Sequence, residues 1–286
     1  MKPASGARPS WWQWPTVLSL DAPIVALLWQ WLLARSARVP LGNAERFVLG
    51  SSVWLAYAAD RWIEGWRLAP DQVRTQRHAF YQRWRWPVAV GWGLVLAADL
   101  AFAFARLSPA EFRTGLLLLG PVAAYLLSHQ LVHRHHPWRA PKEICVAALL
   151  GAGVAVFLVA QPGAAWRALA APLALFVLLC FTNCALISAW EHEVDESHGQ
   201  TSLSHQFRHG AILGRRLAWL LAVLSALLLA METGSDRVPV ACAGASSLLL
   251  ALLDAGEPRL GWQRARVLAD VALMTPLLPL AAALLS

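Results

Sequence analysis

Two acidic clusters at the ends of apolar runs are the residues of this sequence best placed to do chemistry. The first is Asp60-Arg61-Trp62-Ile63-Glu64, and the second runs from Glu191 through Asp195 to Gly199. In each, two carboxylates stand four residues apart, so on a helix they share one face. Like charges at that spacing repel unless something cationic lies between them. A pair of this kind can hold Mg²⁺, which takes oxygen ligands and often binds through one or two carboxylates plus substrate phosphates. Two pairs on different helices could hold two or more such ions facing each other. Arg61, Arg74, Arg77, Lys142 and Arg208 lie near the clusters. They supply the other half of a diphosphate site, because arginine and Mg²⁺ both neutralise phosphoryl oxygens.

The elements that would position these residues are membrane spans. Of 286 residues, 58% are hydrophobic and 14% charged, and the mean hydropathy is +0.48. A soluble protein would carry about 25% charged residues. The apolar blocks run for about 17–25 residues, the length that crosses a bilayer. Nine spans are expected, at about 16–34, 44–62, 86–106, 110–131, 142–160, 168–190, 214–231, 238–253 and 267–285. The chain therefore reads as an all-α polytopic membrane protein, with residues 1–15 a short tail and 16–286 one membrane-embedded domain. The tail lacks the basic region, apolar core and cleavage site of a signal peptide.

With the N-terminus placed in the cytoplasm, seventeen of the 24 lysines and arginines fall on the inner side, as the positive-inside rule requires. Both acidic clusters then fall on the cytoplasmic side of a multi-pass inner-membrane protein. The net charge of +7 reflects those loops, with no nucleic-acid partner implied. Cys145, Cys180, Cys184 and Cys242 lie inside apolar runs and read as inert thiols. His129 and His133 have metal-ligand spacing, but no cysteine or carboxylate beside them completes a tetrahedral set. Trp54, Tyr57 and Phe181, within spans near the clusters, are the cavity-lining candidates. Asp270 is expected to pair with Arg266 on one helical face, and Asp99 to face the bundle interior.

The placement of these motifs resembles the UbiA superfamily of intramembrane aromatic prenyltransferases. That family carries Asn-Asp-x-x-Asp-x-x-x-Asp at the end of its second helix, and Ala56 to Glu64 falls on it here. It carries Asp-x-x-x-Asp-x-x-x-Gly and a Thr/Ser-Leu turn after its sixth helix, and Glu191-x-x-x-Asp195-x-x-x-Gly199-Gln200-Thr201-Ser202-Leu203 falls on that. Arg74-Thr75-Gln76-Arg77-His78 resembles the basic segment after the first motif, and Lys142 the basic residue after the fourth helix. The departures are Ala56-Tyr57 in place of Asn-Asp, and Glu64 and Glu191 in place of Asp. The resemblance implies nine helices around a central cavity and a polyprenyl diphosphate substrate. It implies Mg²⁺ held by Asp60, Glu64, Glu191 and Asp195, and transfer of the prenyl group to a lipophilic, often aromatic, acceptor. The altered first motif leaves three other readings open: acceptor-free cyclisation or hydrolysis of the donor, a non-catalytic isoprenoid-lipid binder, and a transporter. The last lacks an evident inverted repeat.

Overall fold

The computed structural model describes residues 9–69, 73, 75–128, 141–161, 166–197, 202–207, 210–231 and 237–285, and every regular element among them is helical. In chain order the helices are α1 (Trp14–Val17), α2 (Asp21–Ser36), α3 (Asn43–Arg67), α4 (Gln76–Arg83), α5 (Arg85–Arg106), α6 (Pro109–Leu127) and α7 (Lys142–Ala160). They continue as α8 (Trp166–Trp190), α9 (His192–Ser197), α10 (Leu203–Gln206), α11 (Gly210–Met231), α12 (Arg237–Leu260), α13 (Trp262–Ala272) and α14 (Leu277–Leu285).

Exposure runs opposite to that of a water-soluble protein. Leu94, Phe104 and Leu117 on α5 and α6 are 68%, 72% and 70% exposed, while Gln30, Asp99, Asn183 and Arg266 are buried. A lipid-facing surface and a polar interior account for both. Among the described residues, six helices are long and apolar enough to cross a membrane, or up to eight if two bent pairs each count as one span, against the nine expected. α3 has the length, but Asp60, Arg61, Glu64 and Arg67 on its last two turns make it too polar for that measure.

Two of the apolar runs are bent. α1 meets α2 at 77° and α13 meets α14 at 46°. Ser19 takes a left-handed φ of 56° at the first. Pro276, with no N–H, interrupts the ladder at the second. A bend frees carbonyls that hydrocarbon cannot satisfy, and tryptophans meet them here. Trp54 Nε1 donates to the Leu18 carbonyl at 3.0 Å and Trp29 Nε1 to the Leu273 carbonyl at 2.9 Å. Trp29 is wholly buried and stacks on Phe176 at 4.8 Å. Trp29→Phe keeps the ring and strands the Leu273 carbonyl, so stability in a detergent-unfolding titration should fall by about 1–3 kcal/mol.

α2 packs against α3, α7, α8, α12 and α13, and α8 against α7, α11 and α12, which closes the bundle around an interior space. Asp99 faces that space and accepts hydrogen bonds from Ser51 and Ser52, tying α5 to α3. None of the four cysteines forms a disulfide.

Candidate active site

A cavity of about 560 Å³ occupies the interior. Leu49, Val53, Leu100, Leu119, Val146 and Phe157 are among the residues of its apolar walls. One end is charged. Asp60, Arg61 and Glu64 reach it from the last turns of α3, Arg77 from α4 and Lys142 from the first residue of α7. Glu191 reaches it from the end of α8, Asp195 from α9 and Arg266 from α13. The two carboxylate pairs expected to face each other therefore line the same space.

Local structure explains how. Tyr57, Asp60, Arg61 and Glu64 follow the i, i+3, i+4, i+7 rhythm of one helix face, and all four line the cavity. The α8 ladder continues past Trp190, with the Asp195 amide donating to the Glu191 carbonyl at 2.8 Å, so this pair also shares a face. Thr75 caps α4, its hydroxyl accepting from the His78 amide. The same hydroxyl lies 2.7 Å from His78 Nδ1, and His78 Nε2 lies 3.0 Å from Glu64 Oε2. Burial pushes the His78 pKa down to about 4, so at pH 7 the neutral ring donates from Nε2 to the carboxylate and accepts from Thr75 at Nδ1.

Gly65 lets α4 come this close. A Cβ there would lie 3.2 Å from Tyr81 Cβ and 3.3 Å from the Gln82 backbone nitrogen. Gly65→Leu is expected to push α4 outward with Arg77 and His78. Any activity that needs them should fall by about 10²-fold, since displacements near 1 Å are that costly; turnover by the variant relative to wild type reads it.

The charged end is balanced. Arg266 Nη1 contacts both Glu191 oxygens at 2.5 Å, and Arg77 Nη2 contacts Glu191 Oε2 at 3.2 Å. Lys142 Nζ stands 3.8 Å from Asp195 Oδ2. Arg77 keeps Nε and Nη1, and Arg266 keeps Nε, buried without hydrogen-bond partners among the described residues.

The structure departs from several expectations. Glu191, expected among the metal ligands, is contacted by two guanidiniums, so any cation bound there would sit beside both. Arg266 does not pair with Asp270, one turn along α13. It crosses to Glu191, while Asp270 accepts from Asn183 Nδ2 at 3.1 Å. Trp54 and Phe181 do not line the cavity. Trp54 turns to the α1–α2 bend, and Phe181 packs against the hydrophobic core. On α8 the cavity stripe is Cys180, Asn183, Cys184, Ile187 and Glu191, and residue 181 falls off it. Tyr57 does line the cavity. Arg74, Arg208, Gly199, Thr201, His129 and His133 lie outside the described residues.

The donor set suits a hard divalent cation only in part. Asp60, Glu64 and Asp195 offer carboxylate oxygens at the charged end, and Glu143, also on the cavity wall, has its Oε2 buried without a hydrogen-bond partner among the described residues. Among the described residues, the three-membered group with donor atoms within 4.8 Å of one another is His192, Glu196 and His205, not the cavity carboxylates. Mg²⁺ usually takes one or two carboxylates and completes its shell with substrate phosphates and water. On that chemistry Asp60, Glu64 and Asp195 fit it, and Glu191 holds the arginines.

No family model matches this sequence, and no curated protein matches it. Among solved structures, the chain matches the apo structure of a UbiA homolog from Aeropyrum pernix K1. The TM-score is 0.55 at 17% identity, covering 90% of this chain and 96% of that one. The chain has the UbiA fold. Its apolar spans and this likeness make it a multi-pass membrane protein with that fold.

Proposed function

We propose that the cavity binds a polyprenyl diphosphate with its head at the charged end, and that the chain transfers the prenyl group to a lipophilic acceptor in a Mg²⁺-dependent reaction. The observation that carries this reading is the set of orphaned donors on Arg77 and Arg266, buried beside Asp60, Glu64 and Asp195 at the end of an apolar cavity. Buried N–H groups without partners are costly. A diphosphate offers the oxygens they lack, and the apolar walls suit its tail.

Arg61, Arg77, Lys142 and Arg266 bind and orient the diphosphate, Arg77 and Arg266 while anchored by Glu191. Mg²⁺ held by Asp60, Glu64 and Asp195 would supply further neutralisation of the charge that builds on the leaving diphosphate as the C–O bond breaks. The allylic cation left behind is sheltered from water by the cavity walls, where the faces of Tyr57, Trp92 and Phe157 stabilise positive charge. The charged end opens to the cytoplasm of a cell membrane, on the arginine and lysine distribution.

Membranes containing the protein, incubated with labelled geranylgeranyl or farnesyl diphosphate, Mg²⁺ and extracted native lipids, test the reaction. A prenylated lipid identified by mass is the expected result. Diphosphate release with only cyclised or hydrolysed prenyl products would favour acceptor-free chemistry. Bound donor without turnover would favour a lipid binder with a degenerate first motif.

A further inference from the structure

A cluster of imidazole and carboxylate side chains stands outside the cavity. His192 and Glu196 are four residues apart on α9, so they share a face. Glu191 and Asp195, one residue earlier in each case, line the cavity. The two faces are therefore turned about 100° from each other, one residue's rotation. His205 comes from α10, and the donor atoms of His192, Glu196 and His205 lie within 4.8 Å of one another. His192 and Glu196 are exposed and His205 is half-buried. His205 Nε2 is itself buried, with no hydrogen-bond partner among the described residues. The two rings stack with centroids 3.9 Å apart, which holds their nitrogens side by side.

The hydrogen bonds around the rings fix which nitrogen is offered. The Ser204 hydroxyl has one proton, and the Ser188 carbonyl at 3.1 Å, which can only accept, takes it. Ser204 Oγ therefore accepts from His192 Nδ1 at 3.2 Å and from the Ser202 hydroxyl at 3.0 Å. With its proton spent on Ser204, Ser202 Oγ accepts from His205 Nδ1 at 2.8 Å. Both Nδ1 atoms are donors, so each neutral ring carries its lone pair on Nε2. Metal-binding histidines are oriented in this way, one nitrogen on the ion and the other donating to a fixed acceptor. The scaffold behind the serines is firm. The Leu203 amide donates to Glu143 Oε1 at 3.0 Å and the Ser204 amide to Ser188 Oγ at 3.4 Å, which fastens α10 to α7 and α8.

We propose that His192 Nε2, His205 Nε2 and the Glu196 carboxylate bind a transition-metal ion of the Zn²⁺ class, and that the ion clasps α9 to α10. Water completes the shell of three protein ligands. Ligand atoms about 2.0–2.1 Å from a tetrahedral ion stand about 3.4 Å from one another. Rotation of the exposed His192 and Glu196 side chains closes the difference and splays the ring stack. Mg²⁺ does not compete, because imidazole nitrogen suits Zn²⁺ while Mg²⁺ takes oxygen ligands. Asp195 lies on α9 beside Glu196, so the clasp fixes the helix that carries a cavity carboxylate. The site is separate from the cavity and stands whether or not the cavity binds a diphosphate.

The test uses the full chain without a histidine tag, purified in detergent, stripped with chelator and returned to excess Mg²⁺. Zn²⁺ is titrated in competition with a chromophoric chelator, and Co²⁺ is followed by its visible absorption. Wild-type protein should take up about one Zn²⁺ that Mg²⁺ does not displace, and Co²⁺ should give the intense bands of a four-coordinate site. His192→Ala, Glu196→Gln and His205→Ala should each weaken Zn²⁺ binding at least about tenfold, the smallest loss that disturbing even a ligand's support brings. Zn²⁺ should raise the thermal unfolding midpoint of wild type and leave that of His192→Ala unmoved. No Zn²⁺ uptake in excess Mg²⁺ would overturn the site. Uptake equally tight in the three variants would overturn it too, since the ion would then sit elsewhere. Zn²⁺ bound with no shift in wild-type unfolding would overturn the clasp. His192 and Glu196 are exposed, so their variants fold and decide the matter even if His205→Ala does not.

Discussion

Asp195→Ala is expected to lower diphosphate release from a labelled polyprenyl diphosphate by about 10²- to 10³-fold, the usual cost of removing one group that stabilises developing charge. Asp195 is 4% exposed at the charged end of the cavity, with Oδ2 facing Lys142. Its loss removes an oxygen donor and leaves the Lys142 ammonium without that carboxylate. Asp195→Glu keeps the donor with a longer reach, so it should recover part of the activity, whereas Asp195→Asn keeps the volume and should not. The measurement is labelled diphosphate released per unit of protein in membranes, with Mg²⁺ in excess. Release in Asp195→Ala within a few-fold of wild type would contradict the assignment.

Glu191→Leu should destabilise the metal-free protein by about 3–5 kcal/mol, because it leaves two buried guanidiniums without their shared carboxylate. Arg266→Leu should cost less, since Glu191 keeps Arg77. The sign separates two roles for Glu191. Were it one of four mutually repelling metal ligands, removing it would relieve repulsion and stabilise the metal-free state. As the clasp between α4, α8 and α13 it does the opposite. Unfolding of each variant in a chelator-treated detergent titration gives the answer. The double variant Glu191→Leu/Arg266→Leu should couple strongly, as residues in one ion-pair network do.

Much of this architecture can be read from the chain because the membrane imposes simple rules. Apolar runs long enough to span predict α5 and α7 to within a residue of their observed ends. The i, i+4 acids predict which sides of α3 and of the α8–α9 junction face inward, because helical periodicity is local. What could not be read depends on tertiary contacts. Arg266 and Asp270 have the spacing of an intrahelical pair, yet each is captured by a partner on α8, where burial makes a cross-cavity bond worth more than a local one. The bends near Ser19 and Pro276 depend on tryptophans far away in sequence to satisfy the freed carbonyls. Phe181 was legible in principle, since stepping back from Glu191 by turns reaches Ile187, Cys184, Asn183 and Cys180 and bypasses it. That same count would have flagged Asn183.

The most direct test is equilibrium binding of tritiated geranylgeranyl diphosphate to the purified chain in nanodiscs, with Mg²⁺ present and inorganic diphosphate as competitor. The account predicts saturable binding that inorganic diphosphate displaces and that Arg77→Ala weakens at least tenfold. Binding indifferent to both would mean that the cavity recognises only the apolar tail, and the charged end would then have no diphosphate to hold.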